Sequence, residues 1–210
     1  MEQKRWRCTV CGYIHVGDAP PEVCPVCGVD SSFFEAVTDD TPAAEPAAPP
    51  SPKADIPHGI KPALFKISYG LYIVTSVKGD KINGQCANTM FQITSEPATV
   101  AIGINKSNYT HELIQASGLA GISILGQQGH DLVRNFGYRS GRDADKFAGI
   151  SYRTGETGVP ILGDCIAFLE GKVAQQMDCG THTLFLLNIL AGDLVSDSEP
   201  MTYAYFRATK

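Results

Sequence analysis

Four cysteines near the N-terminus form two pairs with the spacing of a metal site. Two residues separate Cys8 from Cys11, two separate Cys24 from Cys27, and twelve lie between the pairs. Two such pairs supply four thiolates at the corners of a tetrahedron, a geometry that suits zinc or iron and not a harder cation. The spacing therefore predicts one metal ion held by all four cysteines. Zinc would make the site structural, whereas iron would make it a one-electron carrier.

Length and composition favour a soluble globular protein made of one large domain, or of one medium domain plus a small one. Of the 210 residues, 43% are hydrophobic and 19% are charged, and no apolar run reaches the length of a membrane span. The first residues lack the apolar stretch of a signal peptide, and an odd total of seven cysteines suits a reducing compartment. We therefore expect a cytoplasmic protein without a membrane partner. The net charge of −5 argues against a nucleic-acid partner.

A stretch rich in proline and alanine divides the chain. Residues 38–57 contain six prolines and almost no large apolar side chains, which favours extended polyproline II structure at about 3.1 Å per residue. We expect a small domain at residues 1–37, a linker at 38–59 and a larger domain at 60–210. The small domain is too short to be stable through its core alone, so a bound metal ion is expected to stabilise it.

The larger domain has the sequence pattern of a mainly β fold. Two helices are predicted, one from Asn108 as its N-cap to Gly118 and one over residues 128–136. Many short strands with few helices favour a closed or half-closed barrel. Runs of β-branched and aromatic residues predict strands near residues 69–77, 81–84, 98–104, 121–125, 164–175 and 183–195.

The N-terminal motifs resemble those of a rubredoxin. In full they are Trp6-x-Cys8-x-x-Cys11-Gly-Tyr13, then Cys24-Pro-x-Cys27-Gly, then Phe33-Phe34-Glu35. The likeness covers about residues 5–37, and the short gap between the pairs is similar to that of the rubredoxin-like module in rubrerythrins. The resemblance implies one iron ion on the four cysteines that cycles between its ferric and ferrous states. The cysteine spacing alone leaves zinc open.

Two segments of the larger domain have the chemistry of a nucleotide site. Residues 83–97 mix glycine, amides and hydroxyls with apolar side chains. That mixture suits a planar polar ligand, with Gly84 permitting its close approach, although a bulged edge strand has the same composition. Residues 104–110 bring a lysine and hydroxyls to the start of a helix, which can bind a phosphate or can be an ordinary capped surface helix. A ligand that spans both segments, with its phosphate at the start of the helix, would have the dimensions of flavin mononucleotide (FMN).

Residues 60–205 resemble the flavin-reductase-like family of FMN-binding split β-barrels. The likeness rests on Asn88-Thr-Met90, residues 94–97 and 105–110, Asp145-Lys-Phe147, and residues 180–185. It implies a homodimer with FMN near the subunit interface. The residues that it implies beside the isoalloxazine ring are Gln85, Cys86, Ala87, Asn88 and Thr89. Those that it implies around the phosphate are Asn105, Lys106, Ser107, Asn108, Tyr109 and Thr110.

The resemblance also implies a catalytic role for His182 beside the flavin and the nicotinamide. Many relatives have Gly-Asp-His where this chain has Gly180-Thr181-His182, so the acid that would tune the imidazole is absent. The alternative is a histidine at a strand start that bonds to the backbone. Cys86 likewise has two interpretations, a soft contact beneath the flavin ring or a small buried hydrophobic residue.

Together the motifs predict an NAD(P)H-dependent electron-transfer flavoprotein. A nicotinamide delivers two electrons as a hydride and a single iron accepts one, so a flavin is the chemical adapter between them. Electrons would pass from NAD(P)H through FMN to the fused iron centre and on to an acceptor protein, of the flavodiiron or rubrerythrin-like classes by family association. One alternative is a flavin or ferric reductase with a structural zinc ribbon for docking. Another is a flavoredoxin-like carrier that does not use NAD(P)H.

Overall fold

The computed structural model describes residues 4–10, 13–25, 29–37 and 59–209. The chain divides into two compact units, one made mainly of residues before 69 and the other mainly of residues from 69 onward. The predicted linker at 38–59 lies, except for Gly59, outside the described residues.

The N-terminal unit contains a small antiparallel sheet. Its strands are β1 (Arg5–Cys8), β2 (Ile14–Val16) and β3 (Phe34–Val37), in the order β2-β1-β3. A 3₁₀ turn at Ser31–Phe33 leads into β3, and the Asp30 carboxylate caps it by accepting a bond from the backbone N–H of Ser32 at 2.9 Å. This sheet holds the first cysteine at the end of its central strand.

The second unit contains a seven-stranded antiparallel sheet in the order β5-β4-β8-β11-β12-β7-β6. A separate pair, β9 (Tyr152–Thr154) and β10 (Pro160–Leu162), lies outside that sheet. The seven strands are β4 (Tyr72–Lys78), β5 (Lys81–Ala87), β6 (Met90–Ser95), β7 (Ala98–Asn105), β8 (Leu119–Ile124), β11 (Ala167–Cys179) and β12 (His182–Leu194).

The sheet curls back until its two edge strands meet at one corner. Strand β5 ends at Ala87 and β6 begins at Met90, so three Cα steps hold these ends within about 11 Å of each other. Among the strands that the structure describes, these two edges do not pair with each other. The fold is therefore a split barrel, which confirms the predicted mainly β architecture.

The long hairpin of β11 and β12 joins the two halves of the sheet. Its first strand pairs with β8 through residues 167–172, and its second pairs with β7 through residues 182–188. Register shifts at Glu170/Gly171 and Val173/Gln175 interrupt the hairpin ladder. Such irregularities increase the local bend and twist of a strand pair, which lets one hairpin serve both halves.

Two predicted helices are confirmed and two more are found. Helix α2 (Tyr109–Ser117) begins after Asn108 and ends at Gly118, whose φ is 67°, and α3 (His130–Gly137) lies within one or two residues of its predicted bounds. The additional helices are α1 (Ile60–Leu64) and α4 (Tyr203–Thr209). Within the described ranges, no helix is both long enough and apolar enough to cross a bilayer.

Strand β4 of the second unit is buried on both faces of the sheet, whereas the edge strand β6 is largely exposed. Ile73 of β4 belongs to a core beneath α3 and α4, while its neighbour Val74 belongs to a second core beneath α2. Successive side chains of a strand point to opposite faces, which explains the uninterrupted apolar run in β4. The second core includes Ile104 and Phe185, which flank the predicted cofactor segments.

Candidate functional site

Two of the four predicted metal ligands lie in the described residues, and both are buried. Cys8 and Cys24 are each 1% exposed. Each begins a turn closed in the same way: the N–H of Cys8 donates to the carbonyl of Tyr13 at 2.8 Å, and that of Cys24 to the carbonyl of Val29 at 2.7 Å. The two cysteines thus make the same backbone bond, to the carbonyl five residues later.

Aromatic rings pack around the first of these turns. The rings of Tyr13 and Phe34 meet edge to face at 6.5 Å, and Trp6 Nε1 donates to the carbonyl of Gly17 at 3.0 Å. Phe34 pairs with Cys8 across β1 and β3. Buried thiols in closed turns suit a soft metal ion such as iron or zinc. The other two predicted ligands, Cys11 and Cys27, lie outside the described residues.

The connection between the two edge strands is packed tightly against β7. The N–H of Gly103 donates to the carbonyl of Thr89 at 3.0 Å. A Cβ at Gly103 would lie only 2.8 Å from Cγ2 of Thr89, so glycine is needed for this contact. Asn88 accepts a bond from the Thr89 hydroxyl at 3.3 Å. The segment predicted to face a flavin ring is therefore held against β7 at Gly103, two residues before Asn105.

The turn between β7 and α2 contains most of the residues predicted to hold a phosphate. Asn105 Oδ1 accepts from both the N–H and the hydroxyl of Ser107, each at 2.9 Å. Asn108 precedes the helix with extended backbone and makes no side-chain cap bond. The first-turn N–H groups of α2 therefore lack an Asn108 side-chain acceptor, which is a feature of helix termini that bind anions.

The remaining members of this predicted set have partners within the protein. Lys106 Nζ lies 2.7 Å from Asp178 Oδ1. Thr110 is fully buried and accepts a hydrogen bond from Asn83 Nδ2 at 2.9 Å, which joins the first turn of α2 to β5. The ring of Tyr109 lies beneath the guanidinium of Arg142, 5.0 Å from the ring centroid.

His182 lies beside this turn. It is the first residue of β12 and pairs with Asn105, the last residue of β7. Its Nδ1 is 2.9 Å from the hydroxyl of Thr181, and burial lowers its pKa. A hydroxyl thus lies beside the imidazole, and the lowered pKa of His182 favours its neutral form. The structure therefore brings residues 85–89, residues 105–110 and His182 together in one unit.

The alternation of side chains along β5 separates the predicted ring contacts. Ala87 belongs to the core beneath α2, whereas Cys86 packs against the core beneath α3. Gln85 shares the Ala87 face, and its buried Oε1 has no hydrogen-bond partner among the described residues. Burial raises the pKa of the Cys86 thiol to about 12, so it stays protonated. This placement favours the interpretation of Cys86 as a small hydrophobic residue.

Gly84 is explained by packing and not by the approach of a ligand. A Cβ at this position would lie 3.0 Å from Phe136 and 3.2 Å from Thr75. The glycine of β5 therefore makes room for the aromatic ring of α3.

Lys146 is a buried cation to which the sequence analysis assigned no role. It is 5% exposed, and its ammonium donates to the carbonyls of Gly84 and Phe136, each at 3.0 Å. Desolvation lowers the pKa of Lys146 to about 8. In the sequence, this lysine is distinguished only by its place in the Asp145-Lys-Phe147 motif. Its burial was not expected, because lysines are seldom buried.

An open cleft of about 680 Å³ lies next to this lysine. Its walls include Lys81, Asn83, Tyr109, Arg142 and Lys146. Arg142 donates to the carboxylate of Glu112, a bond that lowers the pKa of that carboxyl. Arg142, Asn83 and Lys146 thus already have partners within the protein.

Comparison with known proteins supports the family resemblances of both the N-terminal and the C-terminal part of the chain. Residues 64–209 match the family described as flavin reductase like domain, and residues 6–35 match the rubrerythrin, rubredoxin-like domain. The chain is 49% identical over 150 residues to a high molecular weight rubredoxin of Moorella thermoacetica, a match that covers 70% of this chain and 66% of that protein. It is 42% identical over 150 residues to a ferric-chelate reductase (NAD(P)H) of Archaeoglobus fulgidus, covering 70% and 89%.

A solved structure supports the barrel fold. The NADH:FAD oxidoreductase SgcE6 of Streptomyces globisporus superposes with a TM-score of 0.65 at 23% identity, over 70% of this chain and 88% of that one. At this identity the likeness concerns the fold alone. The family match covers more than half of the chain. The chain belongs to the flavin-reductase-like family and carries a rubredoxin-like domain ahead of its split barrel.

Proposed function

We propose that this protein is an electron-transfer flavoprotein that moves electrons from NAD(P)H through FMN to its own rubredoxin-type iron centre and then to an acceptor protein. One observation carries the proposal. The Asn105–His182 pairing and the Gly103–Thr89 contact place three predicted cofactor segments side by side. In the N-terminal unit, Cys8 and Cys24 are both buried, and the N–H of each donates to the carbonyl five residues later, which supports a metal site at the two predicted cysteine pairs.

The residues of the barrel fit a flavin nucleotide. The orphaned Oε1 of Gln85 is an acceptor suited to the polar edge of a flavin ring, and an unpartnered buried acceptor is costly without a ligand or water. The side-chain amide of Asn108 and the first-turn N–H groups of Tyr109 and Thr110 offer donors to a phosphate, whereas both donors of Ser107 bond to Asn105. When bound, FMN accepts a hydride and releases electrons singly.

His182 would act beside such a flavin as a neutral group. Its lowered pKa keeps a positive charge away from the cationic oxidised nicotinamide that forms on hydride transfer. The Thr181 hydroxyl at Nδ1 helps to hold the orientation of the imidazole. We propose that His182 positions the pyridine ring. The Archaeoglobus relative is named for NAD(P)H use, which supports a nicotinamide donor.

Cys8, Cys11, Cys24 and Cys27 would hold the metal as thiolates. When bound, iron supplies a one-electron couple. Burial of Cys8 and Cys24 excludes water from the sulfur atoms, and exclusion of water is one of the factors that set the potential of such a centre. The linker composition at 38–59 supports a tether that keeps the two centres at millimolar effective concentration.

We also propose a homodimer formed through the barrel. Phe91 and Ile93 of the edge strand β6 are 51% and 47% exposed, and Leu190 and Leu194 of β12 are exposed as well. An uncovered apolar edge strand is prone to pairing and is normally protected by a partner. A second copy would cover it near the Thr89 connection. Ile93→Lys should yield monomers by sedimentation.

The acceptor is a redox protein, with flavodiiron and rubrerythrin-like proteins as candidates from family association. The seven cysteines support a reducing, cytoplasmic setting. The second candidate is a flavin or ferric reductase whose metal module is a zinc ribbon; the name of the Archaeoglobus relative supports the reductase activity, and the zinc ribbon rests on the cysteine spacing alone. A flavoredoxin-like carrier that does not use NAD(P)H is the third.

Cofactor analysis of the purified protein tests the proposal. We expect one iron per chain after iron-replete expression, and binding of FMN at near-equal stoichiometry after reconstitution. One zinc per chain with no iron would favour the docking-module alternative. Absence of flavin binding would contradict the proposal as a whole.

A further inference from the structure

Lys106, the lysine of the turn between β7 and α2, forms an ion pair within the protein. Lys106 Nζ lies 2.7 Å from Oδ1 of Asp178, which is 72 residues away in sequence, near the end of β11. The Lys106 side chain is 38% exposed and that of Asp178 is 73% exposed. The same Asp178 oxygen accepts the N–H of Gly180 at 2.8 Å. Asp178 is thus held by its own hairpin in a position to bind the lysine.

The pair leaves the turn without a net charge. The other residues of the turn, Asn105, Ser107 and Asn108, are uncharged. The Lys106 ammonium lowers the pKa of Asp178, so the carboxyl stays ionised at neutral pH. An ammonium has three N–H donors on one point charge, and a second anion must share them with the carboxylate or displace it.

We propose that Asp178 is a tethered competitor for the ligand phosphate at Lys106, and that it sets how tightly the barrel holds FMN. This inference rests on the proposed function, in which residues 105–110 bind the phosphate. An exposed ion pair is weak, so a phosphate at the start of α2 can displace the carboxylate. Because the carboxylate must be displaced first, the affinity for FMN is lower than it would be without Asp178. Asp178 therefore favours exchange of the nucleotide over permanent retention.

Asp178→Asn separates charge from hairpin geometry. The amide oxygen of asparagine can still accept the N–H of Gly180, so the turn before His182 is preserved. Asp193→Asn is the matched control, because Asp193 is an exposed acid on β12 whose carboxylate accepts the N–H of Leu194. Both substitutions change the net charge equally.

The test compares FMN with riboflavin, which lacks the phosphate, by fluorescence titration at low ionic strength. Asp178→Asn should tighten FMN binding about two- to fivefold, the size expected for an exposed ion pair. It should leave riboflavin binding unchanged, and Asp193→Asn should change neither. In a Lys106→Met background the effect of Asp178→Asn should shrink. Thermal unfolding checks that the variants fold.

Three results would overturn the inference. Weaker FMN binding by Asp178→Asn would mean that Asp178 only holds the hairpin. Unchanged FMN binding would mean that no competition occurs. Parallel changes for both flavins would show that the effect does not pass through the phosphate. If the wild-type protein bound neither flavin, the proposed function itself would fail, and the role of Asp178 with it.

Discussion

His182 and Asn105 face each other across the β12–β7 ladder, each at the end of its strand. The pairing places an imidazole beside the turn that leads into α2. Lys106 adds a second link, since its N–H donates to the carbonyl of Thr181 at 3.0 Å. The catalytic candidate and the proposed phosphate site are therefore parts of one rigid corner.

His182→Gln should slow flavin reduction by NADH about 10- to 100-fold while leaving FMN affinity within twofold. Glutamine keeps a polar side chain but not the ring that positions the nicotinamide. Because the pKa of His182 is lowered, the wild-type rate should be flat near pH 7 and fall only below about pH 6.5. Stopped-flow absorbance measures the rate. His130→Gln, at a half-buried histidine whose ring bonds to Thr209, is the control. An unchanged rate in His182→Gln would remove the residue from the mechanism.

Gly103→Ala should weaken FMN binding at least fivefold by displacing the Thr89 connection. The added methyl would lie 2.8 Å from Cγ2 of Thr89, closer than real contacts allow. Thr89→Ser removes that methyl and keeps the hydroxyl, so the double variant should recover most of the affinity. Fluorescence titration measures the binding. If Gly103→Ala binds FMN normally and is folded, residues 88–89 do not contact the flavin.

Lys146→Met should lower the free energy of unfolding by about 2 kcal/mol, because the carbonyls of Gly84 and Phe136 lose their donor inside the protein. Lys172→Met, at an exposed lysine, should have little effect. Urea denaturation measures both. No loss of stability in Lys146→Met would show that burying the charge costs as much as its bonds contribute.

The lowered pKa of Lys146 predicts that the stability of the protein depends on pH. Its pKa is about 8 in the folded protein and near 10.4 in an unfolded chain. The unfolded state therefore binds more protons between these values, so this residue makes stability rise with pH in that window. The slope of stability against pH should be smaller in Lys146→Met than in the wild type. Equal slopes would contradict the lowered pKa.

Cys24→Ser should abolish iron–thiolate absorption and leave FMN binding by the barrel unchanged. Cys24 is 1% exposed in the N-terminal unit, and replacing a thiolate weakens a soft metal site. Cys165→Ser is the matched control, because Cys165 is also buried but donates to the carbonyl of Leu162 in the other unit. Metal analysis and visible spectroscopy give the readout. Full iron content in Cys24→Ser would exclude it as a ligand.

The features predicted from sequence are those set by neighbouring residues. The bounds of helix α2 agree with the sequence prediction: Gly118 adopts the left-handed conformation that ends a helix, and Asn108 holds the N-cap position, although its side chain makes no cap hydrogen bond. Helix α1 was missed because it is only five residues long and contains Pro62, and α4 because it is seven residues long and rich in aromatic residues. These short segments lack a clear helical period.

The site was predicted in part for the same reason. The 105–110 turn was found because its residues are contiguous. The pairing of Lys106 with Asp178, the burial of Lys146 and the face on which Cys86 lies depend on contacts between distant strands. Strand alternation predicts that Gln85 and Cys86 lie on opposite faces of β5. The core that each face contacts is known only from the packing of the helices in the structure.

The most direct test is anaerobic stopped-flow mixing of the FMN- and iron-loaded protein with NADH, followed in the visible range. We predict that flavin absorbance bleaches first and iron–thiolate absorbance bleaches after it, at a rate independent of protein concentration because the two centres share one chain. Bleaching of the flavin with an unchanged iron spectrum would contradict the proposed electron path.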